Sequence, residues 1–345
     1  MGRINETFEA ARRSGRGVVM PFITGGDPSM QATIELLGAL GRAGAGAVEI
    51  GIPFSDPIAD GPVIAASMHE ALQRGVTPQA IFDALRGHVG SRSEKSVGRE
   101  AARQPGALSR DHSAAASPPT VAMVSISIVH RVGVDRFIDR LAEVGLDGII
   151  VPDADLASAG GIAARCDRHD LACAFLVAPT SKPDRVRAIV DLCRGFVYLL
   201  ARAGITGESQ PARPNPNPNP NPNSNPAPNP TPAIGSPTPG TTMTGSSTGT
   251  TTAGAMTPTN ASQPPLRRQV DAIRAANPTI PIAAGFGIAT PEHVRATLAE
   301  VDGAIVGSAL VRRIQEAVRA GRDPIAEAES FVRSLVEAAS AVRRA

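Results

Sequence analysis

The chain has 345 residues, 42% of them hydrophobic, and a formal net charge of +2. This length supplies one large core, and a single α/β barrel enlarged by insertions fits it better than two domains. Near-neutral charge and 3% aromatic residues exclude the basic, aromatic-interleaved surface of a nucleic-acid binder, while a small anionic ligand stays open.

The first twenty residues carry no apolar core followed by a small-residue cleavage site, and no run of eighteen apolar residues occurs, so a soluble, cytoplasmic protein without membrane contact is expected. Cys166, Cys173 and Cys193 are odd in number and lack CxxC spacing, and the six histidines form no ligand pattern. Ordinary reduced thiols and no metal site are therefore expected.

Short apolar runs bounded by Gly, Pro and Asp recur along the chain, at 17–24, 46–52, 120–128, 147–153, 171–179, 195–201, 279–287 and 301–307. They are continuously apolar, as strands covered on both faces are, and the stretches between them carry helical spacing such as Ile34, Leu37, Leu40. Eight strand-helix units predict a parallel α/β fold closed into a single-domain (β/α)8 TIM barrel, with an open doubly wound sheet as the competitor. The glycines of GRAGAG (41–46) follow a helix and precede a strand, the reverse of a dinucleotide fingerprint, and read as a helix cap. Two segments break the rhythm. Residues 91–117, polar and without apolar period, read as a disordered insertion between the second helix and the third strand. Residues 209–263, a Pro/Asn tract followed by a Thr/Gly/Ser tract, read as a second one in the loop after the sixth strand.

Barrel enzymes place their chemistry at the C-terminal ends of the strands. There the chain reads VEIGIPFSDPIADGP (48–62). Glu49 sits within an apolar run, where a carboxyl is costly unless paired or used, and burial is expected to raise its pKa toward that of a working acid or base. Asp60, before Gly61, reads equally as a turn or helix-capping residue, and Asp56, in SDP, as an outward-facing turn residue. On the same rim, AGITG (203–207), GFG (285–287) and the Gly307-Ser308 step that opens a helix together form a candidate phosphate site, since glycines admit close backbone approach and helix N-termini favour anions. Tyr198, the only tyrosine, reads on its own as core.

With VEIGIPFSDPIADGP, PFITGGDP (21–28), YLLARAGITG (198–207), AAGFGI (283–288) and IVGSALV (305–311) in this order, the chain resembles the α chain of tryptophan synthase from residue 3 to about 340, the two insertions excepted. The resemblance implies retro-aldol cleavage of indole-3-glycerol phosphate to indole and glyceraldehyde 3-phosphate. It implies no cofactor in this chain, and a β chain carrying pyridoxal phosphate in an α2β2 heterotetramer. By the same carry-over Glu49 moves the protons, Asp60 faces the indole N–H, and Tyr198 helps position the reacting groups. Phe22 and Phe286 line the indole pocket, and Thr206 lies on a closing lid. Gly207, Gly285, Gly287, Gly307 and Ser308 belong to the substrate phosphate loops, and the loop around Pro53 and Asp56 faces the β chain. Where the family carries an aromatic residue and an Asn-Pro-like step in the third strand, this chain reads VSISIVH (124–130), which puts the smaller Ser125 and Ser127 in the pocket wall. A non-catalytic subunit that modulates a β chain, and a different phosphate-binding barrel enzyme, are the alternatives.

Overall fold

The computed structural model describes residues 2–56, 61–89, 117–200, 265–285 and 287–342. Asp60, Thr206, Gly207, Phe286 and both expected insertions, apart from Ser117, lie outside the described residues.

Among the described residues the strands are β1 (Val18–Thr24), β2 (Val48–Gly51), β3 (Thr120–Met123), β4 (Gly148–Ile150), β5 (Ala172–Ala174), β6 (Leu176–Val177), β7 (Val197–Leu200), β8 (Ile282–Gly285) and β9 (Gly303–Val306). They lie in the order β5-β4-β3-β2-β1-β9-β8-β7-β6, with parallel pairing throughout. The two ends of that order, β5 and β6, are separated in the chain by Phe175 alone. They are one barrel strand, interrupted at that residue, and the sheet is the closed eight-stranded barrel that the apolar runs predict.

Two buried layers result. Alternate strand residues, among them Val18, Met20, Phe22, Val121, Met123, Ile150, Ala174, Phe196 and Ile305, fill the barrel interior. Their neighbours, such as Val19, Ile23, Ile50, Ala122, Ile149 and Val306, pack outward against the helices. Burial on both faces explains why the strands read as unbroken apolar runs. The helix α1 (Arg3–Arg13) stoppers the N-terminal mouth: Ile4 and Phe8 enter the interior layer, and the Phe8 ring lies 5.9 Å from that of Phe196. Gly303 gives it room, for a side chain there would put its Cβ 3.1 Å from the Phe8 ring. Arg3 locks the stopper by donating to Asp147 at 3.0 Å, and the same carboxylate accepts the Thr120 N–H at 2.9 Å.

One strand is shorter than expected. The run 120–128 stays extended only to Met123, and α5 (Ile126–Val132) follows. The cause is a cap that the local pattern conceals. Ser125 accepts the Ser127 N–H and donates to Asp153 Oδ2 at 2.6 Å, while Asp153 Oδ1 accepts the Ile126 N–H at 2.8 Å. A capped helix start thus overrides the β-branched alternation of SISIV. The GRAGAG glycines do cap a helix: α2 (Met30–Arg42) ends at Ala43, and Gly44 takes φ +90°, a left-handed conformation suited to glycine.

Candidate active site

The C-terminal rim of the barrel holds a cavity of about 300 Å³. Each strand contributes through its inward parity. In β1 and β2, Phe22 pairs in register with Glu49, and Glu49 with Val121 of β3, so these residues point into the barrel at one level. Both Phe22 and Glu49 line the cavity, and Glu49 is 1% exposed. A carboxyl so buried, in a wall that includes Phe22, Met123, Leu176 and Ile305, is costly to keep unless it is paired or serves chemistry. Gly51, two residues on, has no side chain for a reason of packing: a Cβ there would stand 2.5 Å from the Phe22 ring.

Tyr198 lines the cavity from β7. Its hydroxyl occupies the place where a Cβ of Gly285 would be, at 2.5 Å. Gly285 therefore seats the tyrosine beneath the rim. Beyond the strand, Gly287 turns with φ +77° and borders the cavity together with Ile288 and Ala289.

Two helices begin at the cavity. The first, α3 (Pro62–Gln73), starts with Gly61 at its N-cap and Pro62 at its first position, and Val63 and Ile64 of its first turn reach the wall. The second, α11 (Ser308–Arg319), starts after Gly307 without a side-chain cap. Its first backbone bonds run from Leu310 and Val311 to Gly307 O, which leaves the Ser308 and Ala309 N–H groups ahead of the ladder and at the cavity. The two starts adjoin, since a Cβ on Gly61 would lie 3.7 Å from Ser308 Oγ. Two positive dipole ends thus converge where the glycine motifs anticipate an anion.

The orientation of α3 is held from β1. Thr24 and Ser67 share a 2.6 Å hydrogen bond, and Arg74 beyond the helix forms an ion pair with the buried Asp27. Burial pushes the Asp27 carboxyl above its usual range and Glu70 adds to this, while the hydrogen bonds and charge of Arg74 pull the other way. The folded state therefore binds that proton more tightly than the unfolded chain. Its stabilising effect is full below the unfolded pKa and is lost as pH rises through the folded one. Arg74 compensates the charged form, so Arg74→Met is expected to cost about 1–2 kcal/mol at pH 7, and less as pH falls toward 4. Urea unfolding at the two pH values measures this; a cost that grows on acidification would contradict it.

The sequence-derived residues are brought together only in part. Phe22, Glu49, Tyr198, Gly287, Gly307 and Ser308 border one cavity, and Gly285 supports it from beneath Tyr198. Asp60, Thr206, Gly207 and Phe286 lie outside the described residues. Pro53 is buried within the chain, whereas Asp56 is exposed and accepts a 2.7 Å hydrogen bond from Ser55. Ser125 and Ser127 are not the wall from the third strand. Met123 is, because the chain has already turned into α5. Sequence reading also missed Leu176, Ile305, Pro152 and Arg312. For the first two, counting in twos along the strand selects the inward residues only once the register with the neighbouring strands is known, because strands buried on both faces show no alternation.

Among the described residues, no group of three or more His, Cys, Asp or Glu side chains is placed to hold a metal, and no helix is long and apolar enough to cross a membrane. The three cysteines are buried, and burial pushes the Cys193 thiol up to about 12, which removes it as a nucleophile near neutrality.

A closed barrel with a buried carboxyl and two converging helix starts at its C-terminal rim defines the class, a (β/α)8-barrel enzyme. The model of the family described as "Tryptophan synthase alpha chain" matches residues 8–96, 107–218 and 236–340. The chain belongs to that family, whose members are catalytic subunits of the lyase type. The tryptophan synthase alpha chain of Rhodopirellula baltica is 32% identical over 99% of this chain and 100% of its own length. That of Chloroflexus aggregans is likewise 32% identical, over 99% and 100%. Among solved structures, Mycobacterium tuberculosis tryptophan synthase superimposes with a TM-score of 0.69 at 25% identity, covering 100% of both chains. The alpha subunit from Legionella pneumophila does so with 0.68 at 25%, covering 98% of both.

Proposed function

We propose that the cavity cleaves indole-3-glycerol phosphate into indole and glyceraldehyde 3-phosphate, with Glu49 as the proton-transfer group. Cleavage needs a proton added at ring carbon C3 and one removed from the hydroxyl of the adjoining side-chain carbon. As that hydroxyl becomes a carbonyl, the carbon–carbon bond breaks and its electron pair returns to the ring, restoring the aromatic system. A carboxyl can do both tasks if it lies over the reacting bond and is shielded from water. The observation that carries this reading is the placement of Glu49, 1% exposed, in one cavity with an apolar wall and the N–H groups of Ser308 and Ala309, which precede the hydrogen-bond ladder of α11.

The remaining roles follow from the same reading. Phe22, with Phe286, packs the indole ring; Asp60 faces the ring N–H and balances the positive charge that protonation at C3 creates. Tyr198 orients the reacting groups. Gly285, Gly287, Gly307 and Ser308, with Gly207, admit the phosphate, and Thr206 closes over the site. The reaction is acid–base chemistry that needs no cofactor in this chain. We further infer a cytoplasmic α2β2 assembly in which a β chain, carrying pyridoxal phosphate, takes up the indole, with Asp56 and the loop from Pro53 on the shared face. The match to the structure of Mycobacterium tuberculosis tryptophan synthase supports a β partner.

The test is indole release from indole-3-glycerol phosphate by the purified chain, with and without a β chain from the same source. Indole is expected in both cases and faster with the partner. A folded chain that releases none in either case would overturn the enzymatic reading in favour of a non-catalytic subunit.

A further inference from the structure

The cavity contains a charged group to which neither the motifs nor the strand ends draw attention. Arg312 lies one helical turn beyond Ser308 in α11, and both residues line the cavity. Residues four apart share a helix face, and helical side chains lean toward the N-terminus, so an arginine here reaches back over the first turn. Its neighbour shows the contrast. Arg313 is committed to Glu327 at 2.9 Å and lies 4.4 Å over the Phe331 ring, whereas Arg312 forms no ion pair or hydrogen bond among the described residues.

The charge arithmetic gives this side chain a task. A phosphate monoester carries about −1.5 to −2 at neutral pH, and each helix start offers about half a positive charge. The starts of α3 and α11 therefore balance about one negative charge and leave roughly another. A guanidinium on the same rim supplies the difference, with a planar fork suited to two phosphate oxygens. We propose that Arg312 is the specificity-determining cation of this site, which selects a phosphorylated three-carbon chain over its neutral counterpart. The inference rests on the reading of the substrate as a phosphate ester and adds to it a residue outside the glycine loops.

Calorimetric titration of the full chain with glycerol 3-phosphate, with glycerol as neutral control and indole as probe of the apolar wall, tests it. Arg312→Gln is expected to weaken glycerol 3-phosphate binding by about tenfold and to flatten its salt dependence, with indole binding unchanged. Arg312→Lys keeps the charge without the fork and should recover only part of the loss. With indole-3-glycerol phosphate, KM should rise about tenfold in Arg312→Gln while kcat changes by less than about threefold. The position is exposed, so the melting temperature should stay at the wild-type value. Equal binding of glycerol 3-phosphate by wild type and Arg312→Gln would overturn the inference, as would a wild type that does not prefer the phosphate ester over glycerol. Arg312-dependent phosphate binding without indole release would sink the proposed reaction and leave this inference standing. Indole release with an unchanged KM in Arg312→Gln would do the reverse.

Discussion

Glu49→Gln is expected to lower kcat by roughly a hundred- to ten-thousand-fold while substrate binding stays within about threefold of wild type. The amide has nearly the shape of the carboxyl, and the strand that carries it is held by β1 through Phe22 and by β3 through Val121. Packing of a 1% exposed side chain should thus survive the change, and what is lost is a group that can give and take a proton. Single-turnover indole release, with binding of a substrate analogue measured on the same variant, separates the two effects. Retained turnover would remove Glu49 from the chemistry. Loss of binding and turnover together would mean that the cavity had been disturbed and that the proton-transfer role needs another test, such as Glu49→Asp, which keeps the acid but withdraws it by one methylene.

Gly285→Ala should have the second largest effect, and for a different reason. Its new Cβ would claim the space 2.5 Å from the Tyr198 hydroxyl and 3.0 Å from the ring carbon that bears it. Tyr198 is only half-buried and borders the cavity, so it can yield by moving into that space. The cost in stability should be about 1 kcal/mol or less, because a side-chain tip moves and no backbone does. Catalysis should suffer more. A displacement of about 1 Å in a positioning group can cost on the order of a hundredfold, and kcat/KM is expected to fall by about that factor. Tyr198→Phe removes the crowded oxygen, so the double variant should be less impaired than the product of the two single effects. Strict multiplicativity of the single effects would show that the close approach is without functional consequence.

Much of this molecule was legible in its sequence. The eight strand runs, the helices between them and the anomalous Glu49 are local features: composition and period declare them, and a buried carboxyl in an apolar run marks itself. The glycine steps at Gly287 and Gly307 were legible as well, because a left-handed turn and an uncapped helix start impose their own residue preferences. Family resemblance added the reaction, which no count of residues could supply.

Closure and facing were decided elsewhere. Strands buried on both sides show no alternation, so Met123, Leu176 and Ile305 became pocket residues only when the register of the whole ring set which parity points inward. The third run ended at Met123 because Asp153, at the end of another strand, supplied acceptors for Ser125 and Ile126, a contact that no window of neighbouring residues contains. Helix α1 became a stopper because Gly303, almost three hundred residues away, leaves room for Phe8. Arg312 looks in the sequence like any solvated arginine on a helix, and it acquires a role only through the cavity beside it. The sequence by itself determined where the strands and helices lie, the end of the third strand excepted, and where a charge stands out of place, since those depend mainly on short-range propensity and desolvation. The tertiary structure alone decided what each of those residues faces, since that depends on contacts between parts of the chain that are distant in sequence.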